Sequence, residues 1–147
     1  MKKLKWYGII FALLILFLYI MGTYDLFMML SHNEAYYISK GYGEIVHNYF
    51  TNYSAFMLVL WLGNLICGLL APVLYLFKNK NTYKIAYASF IFDLLLILLG
   101  VIFYNRFKVF EINIICFDMF ILIITLLFGI YTHINNKKSF QHLENNK

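Results

Sequence analysis

Four long apolar stretches separated by short polar segments dominate the chain, at about residues 6–30, 53–77, 83–104 and 112–134. Each reaches the length of about 20 residues that a helix rising about 1.5 Å per residue needs to cross hydrocarbon. Runs such as Phe11 to Ile20 and Leu94 to Val101 do not alternate in polarity, so a membrane β-barrel is a poor fit. A lipid-exposed backbone must pair its amides within its own segment, which leaves helices. The pattern predicts an all-α, four-transmembrane-helix bundle in one integral membrane domain. A loop at 31–52 joins the first two spans, and a polar, frayed tail at 135–147 follows the last.

Composition agrees with this reading: 63% of residues are hydrophobic and 13% charged, against roughly 45–50% apolar in soluble domains. Nine of the twelve basic residues flank one side of the predicted bundle: Lys2, Lys3 and Lys5, then Lys78, Lys80 and Lys84, then Lys137, Lys138 and Lys147. Lys40, Arg106 and Lys108 remain for the other side. This asymmetry puts both termini in the cytoplasm and predicts a multi-pass protein of the cytoplasmic (inner) membrane. The net charge of +5 is then mainly a topology signal, split among short flanks, and gives no nucleic-acid surface. Met-Lys-Lys-Leu-Lys resembles the start of a signal peptide, but the apolar run is too long and no small-x-small cleavage site precedes Asp25, so a retained first helix is expected. Cys67 and Cys116 both fall in spans and read as packing thiols.

The candidate chemistry lies in the three aspartates, Asp25, Asp93 and Asp118, all inside the apolar stretches. A carboxylate in hydrocarbon is disfavoured by a few kcal/mol, so such acids turn toward a bundle interior and mark a pathway or ligand site. They share faces with small and polar residues at steps of three and four. Gly8, Ala12, Tyr19 and Gly22 lead to Asp25; Asn64, Gly68 and Ala71 mark the second span; Ala86 and Ser89 accompany Asp93; Thr125 and Gly129 accompany Asp118. Such stripes also suit plain helix packing. Asn64 and Asp93 fall near mid-span and the other two acids nearer the outer end, which predicts a polar track that opens outward and stops halfway. No lysine or arginine lies inside the spans. Protonation, an incoming cation, or bonds to Asn64, Ser89 and Thr125 are the available ways to satisfy the acids.

The loop at 31–52 is rich in tyrosine and is expected to cap the outer surface, with Asn33 and Glu34 at the cavity mouth. His32-x-Glu34 and Glu44-x-x-His47 raise the alternative of an outer-loop metal site on those four residues. No nucleophile elbow, phosphate loop, dinucleotide fingerprint or zinc-type set occurs, so no enzyme and no cofactor are expected.

Gly22-Thr23-Tyr24-Asp25-Leu26-Phe27-Met28-Met29, followed by Asn33-Glu34-Ala35-Tyr36, resembles a family of small four-span bacterial membrane proteins, largely uncharacterised and sometimes labelled sugar transporters. Tyr49-Phe50, Trp61, Gly68, the basic turn from Lys78 to Lys84, Ala86 and Ser89 extend the similarity over about residues 21–100. The chain departs from the pattern at Tyr53-Ser54, where an aromatic-Pro pair is expected. The resemblance implies the handling of a small solute. The expected function is binding or transport of a small polar solute or cation through an outward-facing cavity lined by Asp25, Asn64, Asp93 and Asp118. Besides the lipid bilayer, the expected partners are a second copy of the chain or a larger membrane protein, since four helices make a narrow bundle. The competing expectation is an accessory subunit whose polar stripes dock such a partner.

Overall fold

The computed structural model describes the backbone of residues 5–144 and the side chains as far as Lys137. Every regular element within that range is helical. Four helices are long and apolar enough to cross a membrane: α1 (Trp6–Leu30), α4 (Ala55–Leu76), α5 (Thr82–Tyr104) and the part of α7 (Ile112–Glu144) that runs to Lys137. The chain is an all-α, polytopic membrane protein. Two short helices, α2 (Glu34–Lys40) and α3 (Glu44–Thr51), lie between α1 and α4, and a single turn, α6 (Arg106–Val109), lies between α5 and α7.

The last helix departs from expectation. Residues 135–144 continue α7 instead of forming a frayed tail; residues 145–147 of that tail lie outside the described range. The segment has no glycine or proline to stop a helix already nucleated, and each added residue costs little once the first turns exist.

The spans close in the order α1, α4, α5, α7, with α4 packed most extensively on α5 and α1 meeting α7 over the shortest stretch. Small residues set these seams. A Cβ at Gly68 of α4 would collide with the Tyr19 ring of α1, and one at Gly8 with the hydroxyls of Tyr75 and Tyr131. Gly129 lies against Tyr87 and Ala86, so α5 and α7 also approach through a missing side chain. Ala12, Ile15, Ala71, Ala86 and Phe128 fill the centre. Ile10, Phe17, Val59, Ile66, Ile91, Leu98, Ile123 and Leu127 are exposed around the outside, a belt suited to acyl chains.

Four crossings return the chain to the end where it began, and Tyr7 near the start meets Tyr131 near the end, ring centroids 6.2 Å apart. The other end carries α2 and α3 as a cap. Asn33 starts α2 by accepting the Tyr36 amide at 2.9 Å, and Gly41, at φ 68°, ends it in the left-handed region that glycine tolerates. Tyr36, Tyr37, Val46 and Phe50 of the cap are buried with Met29 and Phe110, and the Tyr37 hydroxyl donates to the Met29 carbonyl at 3.0 Å.

Candidate functional site

At mid-bundle one tyrosine ties all four spans together. The Tyr19 hydroxyl of α1 reaches Asn64 Oδ1 of α4 at 3.1 Å, Ser89 Oγ of α5 at 2.9 Å and Thr125 Oγ1 of α7 at 2.9 Å. Ser89 Oγ also donates to Asn64 Oδ1, at 2.7 Å. All four residues are buried. A buried polar network of this kind persists because its members satisfy one another. Asn64, Ser89 and Thr125, expected to partner the aspartates, are therefore engaged with Tyr19. Tyr19 belongs to the small and polar stripe of the first span, and its depth, level with Asn64, is the signal in the sequence for this role.

The knot forms the floor of a cavity of about 380 Å³ that extends toward the cap. Asp25, Asn64, Asp93 and Asp118 all line it, so residues from four separate helices meet around one space. Each acid is treated differently. Asp25 accepts a hydrogen bond from the Tyr36 hydroxyl of the cap. Asp118 pairs with the Arg106 guanidinium, Nη2 to Oδ2 2.5 Å. Asp93 is 7% exposed, and its Oδ2 is buried with no hydrogen-bond partner among the described residues.

The Arg106 pairing corrects the expectation that no cation reaches the acids. Asn105 takes a left-handed conformation, φ 47°, that turns the chain sharply after α5. The single turn of α6 then carries Arg106 back over the bundle, where it also lies against the Phe110 ring at 4.9 Å. A residue that reads as a flanking charge in the sequence thus becomes part of the cavity wall.

Asn33 and Glu34 do not line the cavity; Asn33 is occupied in capping α2, and Glu34 is exposed in its first turn, where an acid complements the helix dipole. Lys40, Tyr42 and Glu111 border the space at the cap end instead. The cap tyrosines are held protonated. Tyr36 is raised well above its ordinary value, first by burial and then by its bond to Asp25. Tyr42 is pushed up to about 12, again by burial first, with the charges of Asp25 and Asp118 adding to it. Both remain hydrogen-bond donors at neutral pH.

Of the four residues of the metal alternative, His32 and His47 do meet, ring centroids 4.5 Å apart. Among the described residues, however, no three His, Cys, Asp or Glu side chains converge as a metal site, so Glu34 and Glu44 complete no ligand set. Cys67 and Cys116 are free thiols.

No family model, curated protein or solved structure matches the chain. The roles of the lining residues therefore come from their geometry. Two acids already hold a donor from the short helices between the spans, while Asp93, which also lines the cavity, has a carboxylate oxygen with none. Acidic side chains in the lining, Asp25, Asp93, Glu111 and Asp118, outnumber the basic Lys40 and Arg106, which favours a cationic guest over an anionic one.

Proposed function

We propose that this protein binds a small cationic solute in the cavity between its spans, with Asp93 as the anchoring carboxylate. One observation carries the reading: Asp93 lines the cavity and keeps a buried carboxylate oxygen without a donor, beside a knot whose polar groups satisfy one another. Leaving such a group unsatisfied costs roughly 1–3 kcal/mol, which a charged donor entering the cavity relieves. The distribution of lysines and arginines supports placing the cap outside and the termini in the cytoplasm, so that the cavity faces outward. Transport is the wider form of the proposal. The Tyr19 knot closes the floor, and passage to the cytoplasmic half requires that knot to open.

Thermal unfolding of the purified protein in detergent tests the proposal, with ammonium, methylammonium and guanidinium as probes and a neutral polyol as control. A ligand held only by the folded state at 100 times its dissociation constant adds about 2.7 kcal/mol of apparent stability. A cationic probe is expected to raise the unfolding temperature of the wild type and to lose that effect in Asp93→Asn. An equal response of the two proteins, or none with any cation, overturns the proposal.

A further inference from the structure

Below the cap the cavity also borders the seam between α1 and α7. Toward the termini α1 and α7 are sealed by rings, Phe11 on Phe128 at 5.2 Å and Tyr7 on Tyr131 at 6.2 Å. The seal ends at the bond between Tyr19 and Thr125. From there to the cap, among the described residues, no hydrogen bond or ring contact joins the two helices. Leu18, Met21 and Asp25 of α1 and Phe117, Asp118 and Ile121 of α7 instead line the cavity from opposite sides.

Met21 is 43% exposed and Phe117 51% exposed, although both line the internal space. Exposure of this size at lining positions on both helices, with no bond across, fits a gap in the wall between them. Its depth is that of acyl chains: Met21 lies about 13 Å below the cap end of α1, and Phe117 about 8 Å into α7, at about 1.5 Å per residue. The seams of α4 with α1 and α5 are closed at comparable depth. Gly22 brings α1 against Leu65 of α4, and Gly63 brings α4 against Phe92 of α5.

We infer that the cavity receives an amphiphilic primary ammonium laterally from the membrane, its charged head on Asp93 and its apolar tail in the slot between α1 and α7. The inference rests on the cation reading above and names the class of cation. The orphaned oxygen of Asp93 requires a hydrogen-bond donor, which a primary ammonium supplies and a quaternary one lacks. Trp61 faces the same cavity and offers a ring to the charge. Leu18, Met21, Phe117 and Ile121 offer the tail an apolar path continuous with lipid. Acidic amphiphiles are disfavoured, since Arg106 is already held by Asp118.

The chain has two tryptophans, so a Trp6→Phe background leaves Trp61 in the cavity as the sole fluorescent reporter. In phosphatidylcholine nanodiscs, octylammonium is expected to bind at least tenfold more tightly than methylammonium or octanol, and Asp93→Asn to lose at least tenfold for octylammonium. Filling the slot with Leu18→Phe and Ile121→Phe should reduce the octyl-over-methyl advantage to below threefold while methylammonium binding stays unchanged, which also reports a folded site. Phe117→Ala widens the slot at an exposed position and should weaken octylammonium at least threefold with methylammonium unaffected. Equal binding of the two amines, with loss of both in Asp93→Asn, overturns lateral access but leaves the cation site standing. An octyl advantage retained in both slot variants assigns the tail to the bilayer and overturns the inference. No binding of either amine overturns this inference and the proposed function together.

Discussion

In the half of the bundle that carries the termini, α1 closes on α4 and α7 through glycines, alanines and edge-on rings. In the half under the cap, α1 and α7 instead border a space that holds three carboxylates. The first half is sealed because Gly8 and Gly68 remove the side chains that would hold the helices apart, so Tyr19, Tyr75 and Tyr131 fit across the gaps. The second half keeps α1 on α4 at Gly22 and α4 on α5 at Gly63, but its space is bordered by groups from outside the spans: Lys40 from α2 and Arg106 from α6. The difference separates two uses of polarity in hydrocarbon. Around Tyr19 polar groups lock the helices together; around Asp93 a polar group is left available.

The largest test of that contrast removes the guanidinium. Arg106→Ala strands Asp118 in a partly buried site, and breaking a buried pair costs roughly 3–5 kcal/mol. Because both side chains keep some exposure, a loss near the low end, about 3 kcal/mol, is expected in reversible unfolding in mixed micelles. Removing both charges, Arg106→Ala with Asp118→Ala, should recover at least half of it, since the uncompensated charge is then gone. A single variant as stable as the wild type would show that the pair does not hold the cap half together.

A smaller and more discriminating effect is one of sign. Tyr19→Phe removes the hydroxyl shared by three spans and should destabilise the protein by about 1–2 kcal/mol. Asp93→Leu replaces an unpartnered buried carboxyl with an apolar group of similar size and should stabilise the ligand-free protein by about 1 kcal/mol. Residues kept for packing and residues kept for binding thus move in opposite directions, as expected where a site carries a local cost for function. If Asp93→Leu destabilises as Tyr19→Phe does, Asp93 serves the fold and the proposed site loses its anchor.

Much of this contrast could be read along the chain, and the unreadable part has a physical cause. Four uninterrupted apolar runs dictate four spans, because nothing except a helix satisfies their backbone in lipid. Steps of three and four residues place Asp25, Asn64, Asp93 and Asp118 on inward faces, and a helix preserves that relation whatever its neighbours do. What the acids meet depends on how loops return. Arg106 sits one residue after Asn105, whose left-handed turn aims it inward, and no periodicity encodes that direction. Asn33 carried a readable signal of another kind: an asparagine before a helical segment is first a capping residue, and that role removes it from the cavity mouth. The Tyr19 knot depends on where the rims of three other helices fall in depth, which pairwise packing decides.

The smallest expected effect is confined to the cap and follows from its tyrosines. In an unfolded cap Tyr42 ionises near its ordinary value of 10.0, whereas in the folded protein it is pushed up to about 12, by burial first and then by Asp25 and Asp118. Below pH 10 both states keep the proton, and this residue adds no pH dependence. Between pH 10 and 12 the unfolded state loses its proton while the folded one retains it, so stability falls as pH rises, and the slope from this group ends once both are ionised. The contribution of Tyr42 to the unfolding temperature should therefore be level up to about pH 10 and decline beyond it. Asp25→Asn removes a charge that raises Tyr42 and the carboxylate that Tyr36 bonds, so tyrosinate absorbance in the folded protein should appear at lower pH. An alkaline titration of Asp25→Asn that overlays the wild type would detach the cap tyrosines from the acids beneath them, and with them the view that loop residues complete this half of the bundle.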